Sequence, residues 1–181
     1  MQTQHRHDDT QAARDLARVR RVVAAGYDLN RKSRRCDTPL RHAILCIGNP
    51  RARLRAVRAL LAAGAEVDPE PDGNGPLFAA VIQQDATVMQ VLLDHRAAAD
   101  REHDMGEPIL DWAEFDYRSE TYGEDMELPE RPTAADSATM DTWLAFLDRI
   151  AVKHGKRRPD YLLLLRNHGA RTYAEMHPER A

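Results

Sequence analysis

The chain has 181 residues, room for one domain with a real core but too few for two comfortable ones. Apolar residues make up 43% and charged residues 30%, against 6% aromatics, a balance that favours helix packed on helix over sheets. The net charge of -3 gives no whole-chain case for nucleic-acid binding, and Cys36 and Cys46 alone cannot build a disulfide framework.

At the start of the chain, MQTQHRHDDT contains no apolar run and does not read as a signal peptide. No window approaches the roughly 18 apolar residues of a membrane span, so the expectation is a cytoplasmic protein without membrane contact. HRHDD (5–9) places histidines at i and i+2 on a terminal segment, too weak a pattern for a metal site. Residues 15–26 then present Leu16, Val19, Val22 and Val23 at helical spacing, followed by AAGYDLN.

CDTPLRHAILCIGNP (36–50) opens a helix by rule: Thr38 caps, Pro39 takes the first helical position, and Leu40, Ala43, Ile44 and Ile47 form one apolar face. Cys46 reads as a core residue of that helix. A second helix follows, with Val57, Leu60 and Leu61 inward and Arg51, Arg53, Arg55 and Arg58 read as a solvated basic face. The same start recurs as GPLFAA (75–80) and EPILDW (107–112). The same end recurs as AAGAEVD (62–68), HRAAAD (95–100) and HGART (168–172). Asn30, Asp68 and Asp100 each stand four residues beyond Gly26, Gly64 and Arg96, so the register is kept.

Two helices and a T-P-L start in a unit of about 33 residues are the sequence signature of the ankyrin repeat, and from about residue 10 to residue 172 the chain resembles that family. The resemblance implies an all-α solenoid of about four helix-pair repeats, forming a single domain over residues 1–181. It departs from the family pattern at Arg41 and Phe78, where His is expected, and at Gly75 and Glu107, which replace Thr. Arg96 occupies a turn position where a left-handed Gly is usual.

The individual feature is an insertion in the last repeat, residues 119–158. Its first part, SETYGEDMELPERPT, reads as an acidic loop. Its second part reads as a helix from Asp136 or Ser137 to Gly155, with Met140, Trp143, Leu144, Leu147, Ile150 and Ala151 on one face. In the closing helix YLLLLRNHG (161–169), Arg166 falls where a second Leu is usual and fits a polar cap to the stack.

No phosphate loop, nucleophile elbow or zinc motif is present, and the carboxylates of Asp111, Glu114 and Asp116 lack a matched base. The expectation is therefore a non-enzyme without cofactor or metal. The family resemblance implies binding of another protein through the finger loops and first helices. In this chain those candidates are Arg31, Lys32, Arg34 and Arg35 of the first finger and Asp72 and Asn74 of the second. Tyr117, Tyr122, Glu124, Asp125 and Glu127 add the acidic loop.

Residues 1–68 carry 14 basic and 7 acidic groups, and residues 100–132 carry 3 basic and 12 acidic, a dipolar pattern that steers encounter with a charged partner. Small stand-alone bacterial ankyrin proteins of this shape resemble immunity proteins that block a cognate toxin. A monomer presenting the acidic loop to a basic toxin surface is the first reading, and a scaffold recruiting an acidic partner through RKSRR (31–35) is the second.

Overall fold

A computed structural model describes residues 2–33, 37–69 and 74–180, with residues 2–9 described by their backbone alone. Among them the chain is all-helical, with no strand and one isolated antiparallel bridge, Glu102 to Pro108. It divides into two compact units, Met1–Ala98 and Ala99–Ala181.

The first unit holds α1 (Gln2–Ala24), α2 (Pro39–Cys46), α3 (Pro50–Ala62), α4 (Pro76–Ile82) and α5 (Ala86–Asp94). α2 begins as its sequence dictates: Thr38 Oγ1 accepts from the Arg41 N–H at 3.3 Å, and Pro39 stands at the first helical position. Asn49 caps α3 and Asp85 caps α5 in the same way. α2 and α3 pack as a pair, as do α4 and α5. Between pairs, α2 lies on α4 and α3 on α5, while α1 packs on α3. Leu40, Ala43, Ile44, Ala56, Val57, Leu60, Ala79, Val88, Met89 and Leu92 fill the resulting core.

Three expectations are corrected in this unit. α1 is a single helix of 23 residues beginning at Gln2, and its Leu16, Val19, Val22 and Val23 are only half-buried, because no helix pair encloses them. Cys46 is exposed, since α2 ends there with the thiol beside His42. Arg53 is buried, not solvated. Its guanidinium donates to the Ile47 carbonyl at 3.0 Å, to Asp85 at 2.9 Å and to Gln83 at 3.1 Å, so each of its three nitrogens has a partner between α3 and the α4–α5 turn.

The second unit holds α6 (Ile109–Tyr122), α7 (Met140–Lys153), α8 (Asp160–Asn167), the short α9 (Tyr173–Met176) and a 3-10 turn, Pro178–Arg180. α6 and α7 each pack on α8. Tyr117 and Tyr161 stand edge to face in this core. Tyr117 donates to the Arg157 carbonyl at 2.6 Å and Tyr161 to the Ala113 carbonyl at 3.1 Å, tying the α7–α8 connection onto α6. Leu144, Phe146, Leu147, Ile150 and Ala151 of α7 are buried. Trp143 is half-buried and donates its indole N–H to Glu114 at 2.7 Å.

Here too the boundaries move. α6 runs to Tyr122, so the loop begins at Gly123 and not at residue 119. α7 is capped by Thr139, whose hydroxyl and that of Thr142 exchange hydrogen bonds with each other's backbone N–H groups, so Asp136 and Ser137 are not its cap. Pro108 is the cap residue of α6 and not its first helical residue. Arg166 binds Asp141 and Glu175 together, at 2.7 Å each.

The turns after α1, α3, α5 and α8 share one geometry. Gly26, Gly64 and Gly169 have φ of +65°, +94° and +89°, and Arg96 adopts +67° at the equivalent place despite its side chain. Two residues on, a donor returns to the preceding turn. Glu66 N–H reaches Asn30 at 2.9 Å, Ala98 N–H reaches Asp68 at 2.8 Å, and the Arg171 guanidinium reaches Asp100 at 2.5 Å.

Candidate protein-binding surfaces

The acidic segment is positioned by what lies on either side of it. Gly123, at φ +89°, ends α6, and Met126, at φ +49°, turns the chain again with its N–H on the Gly123 carbonyl at 2.9 Å. The strap is then pinned to α7 twice. Glu130 receives Lys153 at 2.6 Å and His154 at 2.7 Å, and these bonds hold its carboxyl below the usual carboxylate range. Asp136 accepts from the Thr133 hydroxyl at 2.7 Å, the Thr133 N–H at 2.9 Å and Arg149 at 3.0 Å, and its pKa falls to about 2, the Thr133 hydroxyl contributing most.

Between α6 and these pins, Glu124, Asp125 and Glu127 are exposed. With Glu120 they are the carboxylates of the second unit that make neither hydrogen bond nor ion pair among the described residues. Elsewhere in that unit acid meets base: Asp100 with Arg171, Glu102 with His177, Glu114 with Arg118, Asp148 with Arg158. Four like charges in eight residues repel one another, and within a Debye length of about 10 Å that repulsion is relieved only by a counter-charge from outside.

Tyr117 does not belong to this surface. It lies on α6, 1% exposed, with its hydroxyl committed to Arg157 and its pKa pushed up by burial. The acidic composition around it suggested a loop, whereas its spacing from Leu110 and Ala113 places it on the inner face of the helix. Tyr122 is half-buried at the end of α6, edge-on to Tyr117, with its hydroxyl enclosed. It too contributes packing and not an exposed contact.

Of the finger residues, Arg34, Arg35 and Asp72 lie outside the described residues. Arg31 and Lys32 are exposed and line a cavity of about 860 Å3 between α1 and α2, with Val19, Val22, Ala43 and Leu60 among its walls. Asn74 is half-buried just before α4, its side-chain oxygen enclosed and unpartnered. The third finger (101–108) closes as a hairpin. His103 N–H bonds the Glu107 carbonyl, Ile109 N–H bonds the Arg101 carbonyl, each at 2.9 Å, and Met105 is 79% exposed at the tip.

Two exposed features escaped the sequence reading. Phe115 is 53% exposed on α6, and Tyr27 is 66% exposed just past the α1 turn. Phe115 stands two residues, about 200°, from both Ala113 and Tyr117 and so lies off the inner face of α6, while Tyr27 lies beyond the end of α1. Among the described residues no group of His, Cys, Asp and Glu is placed to hold a metal ion, and no helix is long and apolar enough to cross a membrane. Comparison with protein-family models, curated proteins and solved structures gave no match.

Proposed function

We propose that this chain is an ankyrin-type, non-catalytic binding module of the bacterial cytoplasm that occupies and blocks a basic surface on one dedicated protein partner, in the manner of an immunity protein. The observation that carries this reading is the run Glu120, Glu124, Asp125 and Glu127, unpaired in a unit whose other carboxylates have partners. Pins at Glu130 and Asp136 hold the strap in place and lower the ordering entropy lost on binding. The repeat reading is supported by the shared turn geometry at Gly26, Gly64, Arg96 and Gly169, by the helix pairing α2–α3 and α4–α5, and by the hairpin finger at 101–108.

The test is capture from native lysate by wild type and by E124K/D125K/E127K, with the fold of both checked by circular dichroism. Loss of a stoichiometric protein from the triple variant supports the reading; a partner held equally by both removes it. The second reading, recruitment of an acidic partner by the first finger, draws on Arg31 and Lys32 at the 860 Å3 cavity. It expects the partner to survive the triple reversal and to be lost on Arg31→Glu.

A further inference from the structure

The helices of the first unit stand in two rows of unequal length. α1, α3 and α5 form one row, each packed on the next, and α2 and α4 form the other. Across the rows α3 pairs with α2 and α5 with α4, while no described helix pairs with α1 in this way. The cavity of about 860 Å3 lies at that place, beside α1 and next to α2. Leu60 of α3 and residues of the 27–33 segment join its wall.

The wall is two helical stripes. On α1, Asp15, Arg18, Val19 and Val22 stand at i, i+3, i+4 and i+7. On α2, Pro39, His42, Ala43 and Cys46 repeat those intervals, and Ile47 extends the stripe. This is the spacing by which a helix meets a neighbouring helix. The other apolar residues of α2, Leu40 and Ile44, are fully buried, whereas Val19 and Val22 across the groove are only half-buried. A helix laid along the groove would pack on α2 as α2 packs on α4, and pair with α1 as α2 pairs with α3. The α1 stripe spans about 10 Å, the length of two helical turns, and α2 and α4 themselves have 8 and 7 residues.

Charge sets the chemistry of the occupant. The acids of the wall have partners within the chain: Asp15 accepts the Gln11 amide at 3.0 Å, Asp28 accepts the Asn30 N–H at 3.0 Å, and Asp37 is ion-paired with Arg41. Arg18 and Arg31, both exposed on the wall, make no hydrogen bond or ion pair among the described residues. Tyr27, also of the wall and 66% exposed, supplies an aromatic anchor of the kind that concentrates binding energy in protein contacts. We propose that this groove binds an amphipathic helix of about two turns from a partner protein. Its apolar face meets Val19, Val22, Ala43 and Ile47, and carboxylates at its edges meet Arg18 and Arg31. The site lies wholly within the first unit and is independent of what the acidic strap binds.

The experiment is fluorescence anisotropy with a labelled, hydrocarbon-stapled peptide of about 12 residues, with Leu at i, i+3, i+4 and i+7 and Glu on both flanks. Wild type should bind it saturably. Bound peptide should slow alkylation of the exposed Cys46 by N-ethylmaleimide severalfold, read at that residue by peptide mass spectrometry. R18E/R31E, which alters only exposed residues, should weaken binding about tenfold and recover it with the same peptide carrying Lys in place of Glu. Val22→Glu, in the apolar wall, should remove binding of the Glu peptide, while E124K/D125K/E127K should bind it as wild type does. No saturable binding by wild type overturns the proposal. So does equal binding of a peptide of the same composition with its apolar period scrambled, or an affinity unchanged in R18E/R31E. Shielding of Cys46 by high concentrations of the protein alone would assign the groove to a second copy of the chain and overturn it as well.

Discussion

Asp68 accepts the backbone N–H of Ala98 at 2.8 Å, and Asn30 accepts that of Glu66 at 2.9 Å from the equivalent place one turn earlier. The two contacts span 30 and 36 residues, so they bind successive helix pairs of the first unit to one another. Asn and Asp are interchangeable here because the contact asks only for a side-chain oxygen of the right reach.

Asp68→Ala should therefore leave a half-buried N–H without its acceptor and lower stability by about 1 kcal/mol. Asp68→Asn should stay within about 0.5 kcal/mol of wild type, since the acceptor survives. Urea denaturation of the three proteins measures both, and equal loss in the two variants would show that the contact is electrostatic and not a hydrogen bond.

Arg96 holds φ +67°, a conformation that costs an L-residue roughly 1 kcal/mol or more, where Gly26, Gly64 and Gly169 hold theirs without that cost. Arg96→Gly should raise stability by about 0.5–1 kcal/mol, the relief of strain being partly offset by the greater freedom of Gly in the unfolded chain. Gly64→Ala supplies the reverse test. A Cβ at residue 64 would meet nothing within 4 Å, so any destabilisation there measures backbone conformation alone.

Helix identity was legible in the sequence wherever a cap preceded an apolar period. Thr38-Pro39 and the left-handed turns at Gly26, Gly64, Arg96 and Gly169 all stand where spacing put them. Where composition and periodicity disagreed, composition misled. The acidic residues after Asp116 suggested a loop, yet Tyr117 continues the inner face of α6 and the helix persists to Tyr122. Arg53 was hidden among three exposed arginines because its partners, Asp85 and Gln83, are 30 or more residues away. The same limit applies to the candidate surfaces. A sequence shows which residues are charged, but only the fold shows that Glu124, Asp125 and Glu127 are left unpaired while Glu130 and Asp136 are bound.

Glu114 is buried on α6 and accepts from Trp143 at 2.7 Å and from Arg118 at 2.6 Å and 3.2 Å. Its removal takes the acceptor from the Trp143 indole N–H and from two N–H donors of Arg118. Glu114→Leu should cost about 2–3 kcal/mol, whereas Trp143→Phe, which deletes the indole N–H but keeps the carboxylate paired to Arg118, should cost about 1 kcal/mol. Trp143 fluorescence during urea unfolding reports on the first variant directly. A Glu114→Leu protein as stable as wild type would mean that this polar contact contributes nothing to the α6–α7 junction.

Asp136 gives the strap a pH dependence with a definite sign. Its carboxyl titrates at about 2 in the folded chain against 3.8 for the unperturbed group, because the charged form accepts the Thr133 hydroxyl first, then the Thr133 N–H and Arg149. A carboxylate depressed by folding stabilises the folded state fully above the unfolded value and loses that contribution as pH falls through the folded one. The window is therefore from about pH 4 down to about pH 2. Other acids titrate there too, so the informative quantity is the difference between wild type and Asp136→Asn, which keeps the size of the side chain and removes its charge. That difference should be constant above pH 5 and shrink towards zero near pH 2, as followed by thermal melts. Arg149→Gln should narrow the window less than Thr133→Ala, since the threonine supplies the larger part of the shift. A difference between wild type and Asp136→Asn that does not change with pH would show that the carboxylate is not what holds the strap at this point.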